Sequence, residues 1–249
     1  MKHEGNGAVP FVIGAFVRQM YIMLGALVVA CESPAPAEHH FAGLGTLPVP
    51  AATSGVDGPR WPAPATSVDI AWLPPTVRRH QASLEAAAAA HTIDAELLAI
   101  VTLVESGGWV GAVSPTGARG LMQVMPATAG IIADERLLRA PSSERLSSPA
   151  VSVDFGAYYL KQQLTAFATP DLDESVSRAA GAYNGGPTAF RSFLEQAGEL
   201  SEQTKRYRGW VGGMWRERRE ATSDTFARWR AAGGERLLEK ALAEKLPPR

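Results

Sequence analysis

The sequence predicts a mainly α-helical chain, and three observations carry this prediction. From Thr76 onward, apolar residues recur at helical spacing, and no convincing two-residue alternation of the kind a β-strand needs is present. Gly and Pro stand where helices end or begin. The preceding residues, 31–75, are rich in Pro and contain no helical pattern. We therefore expect one helical region behind an N-terminal tether.

The overall composition excludes several classes of protein. The 249 residues include 24 Lys and Arg against 25 Asp and Glu, a formal net charge of −1. This balance argues against a general polyanion binder, so no nucleic-acid partner is expected. A single cysteine can form neither an internal disulfide nor a Cys-rich zinc module. The apolar fraction of 46% argues against a wholly disordered chain.

Residues 1–30 predict a targeting segment. The chain is almost continuously apolar from Ala8 to Ala30, broken only at Arg18 and Gln19, as in a secretory signal. Val-Val-Ala before Cys31 resembles the lipobox of bacterial lipoproteins, which implies that Cys31 becomes the lipidated N-terminus and anchors the protein to a membrane. An uncleaved transmembrane anchor and an incidental apolar segment are the alternatives. The stretch after Gln19 is shorter than the roughly 20 residues that a span needs.

Residues 31–75 predict an open tether. Proline removes backbone donors and blocks helices, and this segment carries nine prolines: Pro34, Pro36, Pro48, Pro50, Pro59, Pro62, Pro64, Pro74 and Pro75. His39 and His40 lack further ligands nearby, so a solvated pair is expected rather than a metal site. Glu32, where Asp would favour retention in the inner membrane, leans to an outer-membrane position facing the periplasm.

Each later helix has local signals. The first is predicted over 76–91, and Asp94 can cap a second helix that ends at Gly107 and Gly108. Glu105 lies near the C-terminal end of that second helix. Further helices are predicted over 126–138, 151–167, 174–182 and 187–199, with Pro126 and Pro187 in first turns. The stretch 204–245 predicts two helices separated near Gly233 and Gly234.

Four segments together resemble the soluble lytic transglycosylase (SLT) domain, a goose-type-lysozyme-like family that cleaves peptidoglycan. They are residues 105–108 (ESGG), 117–129 (GARGLMQVMPATA), 182–187 (AYNGGP), and Thr204 with Tyr207. The resemblance covers about residues 93–211. It implies a lysozyme-like helical catalytic domain, placed at 76–211, with a C-terminal helical extension over 212–249. It also implies cleavage of the bond between N-acetylmuramic acid and N-acetylglucosamine without a cofactor or metal.

Glu105 is the expected catalytic acid. A carboxylic acid can protonate a leaving oxygen near neutral pH only if an apolar setting raises its pKa, and Glu105 follows Leu103 and Val104 at a helix end. Most glycosidases pair two carboxylates, but the four segments offer only one. The resemblance implies that Glu105 acts first as acid and then as base, while the C6 hydroxyl of the muramic acid attacks C1. A 1,6-anhydro ring results.

The resemblance also implies six substrate-binding residues. Ser106 would orient the carboxylate or the sugar, although a polar residue that ends the helix is the alternative. Met122 and Gln123 would line the groove, or serve as a core Met and a capping Gln. The remaining three are Tyr183 and Asn184, with the phenol aimed at the carboxylate, and Tyr207, which could instead be a packing residue. Departures from the family pattern include Trp109, which could stack on a sugar or simply pack, and Ser152 in place of Asn.

Two further alternatives concern function. A hydrolytic lysozyme-like muramidase could use the same fold, and a non-catalytic envelope lipoprotein could bind glycan strands. In the C-terminal stretch, charges of both signs at helical spacing favour a solvated face over a site for a cell-envelope assembly partner. Trp210, Trp215 and Trp229 could cover the catalytic core.

Overall fold

The computed structural model describes residues 61–244, and within them ten α-helices follow one another, together with a 3-10 helix (Arg145–Ser147), a π-helical turn (Arg230–Gly234) and isolated β-bridges. The signal segment, Cys31 and most of the tether lie outside the described residues. The helices are α1 (Pro75–Arg78), α2 (Gln81–His91), α3 (Ala95–Ser106), α4 (Pro126–Glu135), α5 (Pro149–Ala166), α6 (Leu172–Gly185), α7 (Pro187–Leu194), α8 (Glu202–Arg216), α9 (Asp224–Trp229) and α10 (Glu235–Ala243). The mainly α prediction is confirmed.

Helix α3 lies at the centre of the core because it is apolar on almost every side. Eleven of its twelve residues are buried, including Leu97, Leu98, Ile100 and Leu103. The Asp94 carboxylate accepts bonds from the amides of Glu96 and Leu97, at 2.9 and 3.2 Å, as a cap should. At the other end, Gly107 takes a φ of +62° and stops the helix. Both sequence signals for this helix are confirmed.

Helices α6 and α8 pack closely where a glycine removes a side chain. A Cβ on Gly185 would lie 2.8 Å from the Thr204 methyl carbon, so no larger residue fits between the helices. The Thr204 hydroxyl donates to the Asn184 side-chain oxygen at 3.0 Å. This contact fixes the end of α6, which carries the Tyr-Asn-Gly-Gly segment, against α8, which carries Tyr207.

The tether predicted over 31–75 is wrong for residues 61–74, which pack on the domain. Ile70 is fully buried and Leu73 is 3% exposed. The amide of Ala65 donates to the Asp94 carboxylate at 2.7 Å, and the indole of Trp72 donates to the Glu217 carbonyl at 3.0 Å. The prolines prevent a helix here but do not prevent burial. We call residues 61–74 the N-terminal strap.

Several helix boundaries differ from those predicted. The first predicted helix is broken at Arg79 and His80, which separate α1 from α2. Helices α4 and α7 end at Glu135 and Leu194, a few residues early, because left-handed backbone at Leu137 and Gln196 follows. Within residues 61–244, no helix combines the length and apolar character needed to cross a bilayer.

The C-terminal stretch forms three helices rather than two. The break at Gly233, where φ is +117°, occurs as predicted, but a second break separates α8 from α9. Here the Glu217 carboxylate accepts the Thr225 amide and hydroxyl, at 2.9 and 2.7 Å. Helix α8 runs across the predicted domain boundary at 211, and Trp215 and Trp229 join the same core as α3.

Candidate active site

Glu105 lies in the last turn of α3, between the helix core and a loop, with its side chain partly exposed. Desolvation by the surrounding protein is the main cause that raises its pKa to about 8, and a contact with the Tyr207 hydroxyl acts in the lowering direction. The neutral acid is therefore the dominant form at pH 7. Within residues 61–244, no other carboxylate contributes to this shift.

Two phenols from different helices face the Glu105 carboxyl. The pKa values of Tyr183, from α6, and Tyr207, from α8, are raised well above the ordinary value by burial first and by the charge of Glu105 second. Tyr207 is 5% exposed, and no other protein group is in hydrogen-bonding position to its buried hydroxyl in the described chain. The three residues that the motifs predicted to share a site therefore do lie together.

The Tyr183 hydroxyl forms its hydrogen bond with the backbone. It donates to the carbonyl oxygen of Met122 at 2.7 Å, and its ring stacks at an angle on Tyr159, with 5.3 Å between centroids. The phenol is thus bonded to the backbone of the 120–125 segment rather than to the carboxylate that the sequence interpretation aimed it at. Tyr183 consequently fixes the distance between α6 and this segment.

Ser106 and Met122 are fully buried, and their contacts fit the structural alternatives left open for them. The Ser106 hydroxyl lies 2.8 Å from the Leu121 carbonyl, to which it donates, and accepts from the Gly108 amide at 3.2 Å. The Met122 side chain packs against Gly156, where an added Cβ would be 2.6 Å away. In this conformation neither side chain reaches a groove. Both hold the segments that carry other site residues.

Gln123 occupies a strained position at the site. Its φ is +47°, in the left-handed region that non-glycine residues rarely adopt and that is common at functional sites. The side-chain nitrogen donates to the carbonyls of Ala112 and Gly120, at 3.2 and 3.0 Å, which compensates for the strain. Within residues 61–244, the side-chain oxygen accepts no hydrogen bond from another protein group. Asn184, partly exposed, is bonded to Thr204 as described above.

Ser152, a departure from the family pattern to which the sequence assigned no role, holds the 120–125 segment in the structure. Ser152, in α5, is fully buried, and its hydroxyl accepts from the Met122 amide at 3.1 Å. Gly120 passes so close that a Cβ would lie 2.6 Å from the same hydroxyl. Ser at a position where the family resemblance implies Asn was the available signal. In the described part of the chain, no group of three or more His, Cys, Asp or Glu could hold a metal ion.

The chain is similar to known proteins over part of its length. A family model described as the transglycosylase SLT domain matches residues 82–205. The chain is 38% identical over 78 residues to endo-type membrane-bound lytic murein transglycosylase A of Klebsiella pneumoniae, covering 30% of this chain and 38% of that protein. It is 36% identical over 72 residues to membrane-bound lytic murein transglycosylase E of Buchnera aphidicola, covering 28% and 34%. The chain thus spans little more than a third of the length of these relatives.

Solved structures of similar proteins include two lytic transglycosylases. An inactive mutant of lytic transglycosylase Slt from Pseudomonas aeruginosa aligns with a TM-score of 0.44 and 25% identity, over 66% of this chain and 25% of that one. The 70 kDa soluble lytic transglycosylase of Escherichia coli aligns with a TM-score of 0.42 and 22% identity, over 63% and 25%.

Proposed function

We propose that this chain, which belongs to the transglycosylase SLT domain family through residues 82–205, is a lytic transglycosylase acting on peptidoglycan glycan strands. The observation that carries the proposal is the Glu105 carboxyl at the end of α3. Its pKa of about 8 keeps it protonated at neutral pH, and it has access to a ligand because the side chain is partly exposed. A proton donor of this kind is the first requirement for cleaving a glycosidic bond.

The proposed reaction needs a single carboxyl group. Glu105 gives its proton to the oxygen that links N-acetylmuramic acid to N-acetylglucosamine, and the bond from C1 to that oxygen breaks. The Glu105 carboxylate then takes the proton of the muramic acid C6 hydroxyl, whose oxygen bonds to C1. The product carries a 1,6-anhydro ring, and Glu105 is protonated again. Because the nucleophile belongs to the substrate, no second carboxylate and no activated water are required.

Tyr207 and Tyr183 support the same cycle in this proposal. When Glu105 becomes a carboxylate, it stands in a desolvated place where an anion is costly. The Tyr207 hydroxyl, which contacts Glu105, can stabilise that anion by donating to it. Tyr183, bonded to the Met122 carbonyl, holds the segment that carries Gln123, whose side-chain oxygen can accept a bond from a sugar hydroxyl or amide. Ser106 and Met122 would serve this cycle only indirectly, because their side chains are buried and hold the backbone of the segments that carry Glu105 and Gln123.

The mass of the products tests the reaction. Purified sacculi are digested and the released fragments weighed, because 1,6-anhydro ends are lighter by one water than reducing ends. We expect 1,6-anhydro ends, and we expect Glu105→Gln to slow their release by about 10²- to 10⁴-fold, the contribution typical of a general acid. Glu195→Gln, which changes an exposed carboxylate at the end of α7, is the matched control and should release products at the parental rate.

Other outcomes correspond to other functions. Reducing ends in place of anhydro ends would identify a hydrolytic muramidase on the same fold. Binding to sacculi with no release of fragments by the parental protein would indicate a non-catalytic glycan-binding protein. Equal rates for Glu105→Gln and the parental protein would remove Glu105 from its catalytic role.

We also propose that the protein works in the cell envelope, attached to a membrane. Two relatives carry the words membrane-bound in their names, and the sequence around Cys31 resembles a lipobox. Anchoring at Cys31 to the outer membrane, facing the periplasm, would leave residues 32–60 as the tether to the folded region. Cys31→Ser should move the protein from the membrane to the soluble periplasmic fraction after cell fractionation. An unchanged membrane fraction would favour an uncleaved anchor.

A further inference from the structure

The loop at residues 108–111, which we call the post-helix loop, follows the helix of Glu105 and is held by side chains from outside the family match. The carbonyl of Gly108 accepts from Arg79 Nη2 at 2.9 Å and lies 3.0 Å from His80 Nε2. The Lys240 ammonium stands 4.9 Å from the ring centroid of Trp109. The match spans 82–205, so all three side chains lie beyond it.

Glu244 makes the strongest of these contacts. One carboxylate oxygen accepts the amide of Val110 at 3.0 Å, and the other accepts the amide of Gly111 at 2.8 Å. The same carboxylate pairs with Arg79 at 3.2 Å, and the two side chains are only 17% and 21% exposed. Bonds from a carboxylate to backbone amides are charge-assisted and roughly twice as strong as neutral ones. Two successive amides and a cation together define a single position for Glu244.

The post-helix loop is bonded directly to the site. Its first amide, of Gly108, donates to Ser106, the neighbour of Glu105. The residue after the loop, Ala112, accepts the side-chain nitrogen of Gln123 at 3.2 Å. Movement of the loop would therefore displace both the end of α3 and the strained Gln123.

Helix α10 also covers the end of α3. A Cβ on Gly107 would lie 2.9 Å from the Leu237 Cβ, so this helix packs against the residue two places after Glu105. Leu238 and Ala241 of α10 are buried in the core, which anchors the helix independently of Glu244. The residues that hold α10 in the core are thus different from Glu244, which bonds to the loop, so a substitution of Glu244 can leave the packing of α10 intact.

We propose that Arg79 and Glu244 are positioning residues that hold the post-helix loop, and with it Glu105 and Gln123, in the arrangement that acts on the glycan. This proposal rests on the proposed function and adds a requirement to it: the catalytic unit includes the C-terminal helices, which the family match does not cover. A bonded loop limits the approach of water to the end of α3. Its release would open the site without unfolding the core.

The test compares Glu244→Gln with Glu239→Gln, which changes an exposed glutamate of α10, the helix that Glu244 directly follows. Gln keeps the size of Glu244 but presents an NH₂ group to one of the two amides and loses the charge that pairs with Arg79. On soluble glycan strands we expect Glu244→Gln to lower kcat by about 10- to 100-fold, as a misplacement near 1 Å can. KM and the melting temperature should change little, and Glu239→Gln should match the parental protein.

The pH dependence separates positioning from general loss of structure. With more water at the end of α3, the pKa of Glu105 should fall, so the high-pH limb of the kcat profile should move to lower pH in Glu244→Gln. NMR titration of the Glu105 carboxyl carbon should show the same direction. The amides of Val110 and Gly111 should exchange with solvent faster, while amides within α3 should not. Glu244→Asp, which keeps the charge, should recover part of the lost kcat.

Two results would overturn the positioning proposal: a parental kcat in Glu244→Gln, or a lowered kcat with an unchanged high-pH limb and an unchanged Glu105 titration. If the parental protein itself releases no fragments, the proposed function fails. In that case the Glu105 titration and the exchange of the Val110 and Gly111 amides still decide whether Glu244 positions the loop.

Discussion

Surrounding protein desolvates both glutamates of α3, but in the described part of the chain only one of them has a cation beside it. Glu96, near the start of the helix, is paired with Arg219 at 2.7 Å and lies 3.6 Å from Arg218. Glu105, at the other end, faces the hydroxyl of Tyr207 and no cation among the described residues that shift its pKa. A buried carboxyl without a cation favours the neutral form. The same helix therefore carries one carboxyl suited to structure and one suited to proton donation.

The raised pKa of Glu105 predicts a pH-dependent cost to stability. Between pH 4.5, the ordinary value, and about 8, the unfolded chain ionises at this residue and the folded chain does not. The folded state binds the proton more tightly, so this contribution to the free energy of unfolding is complete below pH 4.5 and is lost as the pH rises through 8. Glu105→Gln lacks this loss. Above pH 8 it should be more stable than the parental protein by roughly 3 to 5 kcal/mol.

Denaturant unfolding of both proteins at pH 4, 6 and 9 measures the difference. The two curves should lie close together at pH 4 and separate progressively. A constant difference across this range would mean that the folded-state pKa of Glu105 is ordinary.

Tyr183→Phe should damage both the fold and the site. The change removes the donor to the Met122 carbonyl and leaves that acceptor without its 2.7 Å partner. An unsatisfied buried acceptor costs about 1 to 3 kcal/mol, so thermal unfolding should show a loss of that size. Because the same bond sets the 120–125 segment, the rate of glycan cleavage should fall too. Tyr158→Phe, on the neighbouring helix α5, is the control and should leave the rate unchanged.

At the scale of elements, glycines decide how closely the helices around the site approach. In α5, Gly156 lies against the Cβ and sulfur of Met122, each 2.6 Å from where its own Cβ would be. The Met122 backbone is held by Ser152 and Tyr183, so it has little freedom to move away. In α4, by contrast, a Cβ added to Gly130 would meet no atom of the described residues within 4 Å beyond its own stretch of helix. These two helical glycines therefore make opposite predictions.

Gly156→Ala and Gly130→Ala form a matched pair. Both gain the helix propensity of alanine, worth about 0.5 to 1 kcal/mol. For Gly156→Ala, overpacking against Met122 costs about 1 to 3 kcal/mol, so the protein should be destabilised and cleavage slowed. Gly130→Ala should be slightly stabilised and fully active. Thermal unfolding and cleavage rates test both variants. A stabilised Gly156→Ala would show that the 120–125 segment can move away from the added Cβ at little cost in free energy.

At the scale of the whole molecule, the folded unit is larger than the region that the family model matches. The N-terminal strap contributes Ile70, and the C-terminal helices contribute Trp215 and Trp229, all buried in the core around α3. The two additions also meet each other, since Trp72 stacks on Phe226 with 5.6 Å between ring centroids. Together they contribute buried side chains to the core that contains α3.

Truncation tests the extent of the unit. A fragment of residues 76–211, the domain expected from the sequence, lacks Ile70, Trp215 and Trp229 and should show no cooperative thermal transition. A fragment of residues 61–244 should unfold in one transition close to that of the full chain, as followed by circular dichroism. Cooperative unfolding of the shorter fragment near the same temperature would show that Ile70, Trp215 and Trp229 are not needed for folding.

Local signals account for what the sequence predicted well. Asp94 and Gly107 mark the ends of α3, Pro126 and Pro187 begin α4 and α7, and a motif placed Glu105 at a helix end. Each of these signals acts over a few residues, so it can be recognised without the fold.

Contacts between distant parts of the chain were not predictable in the same way. Proline in the strap indicates the absence of helix but says nothing about burial, so Ile70 was assigned to an open tether. Glu244 stands in a stretch of mixed charge that reads as a solvated helix face. Its partners, Arg79 and the Val110 and Gly111 amides, are brought to it only by the packing of α10 on the end of α3.

The pairing of Arg79 with Glu244 joins positions 165 residues apart in sequence. Contacts of such separation carry a large loop-closure entropy, so they add to the time the domain needs to fold. Helix α3 can be formed before Glu244 and Arg79 bond to the post-helix loop. Under the proposed function, a site that depends on this pairing would be complete only once the strap, the post-helix loop and α10 have all packed on α3.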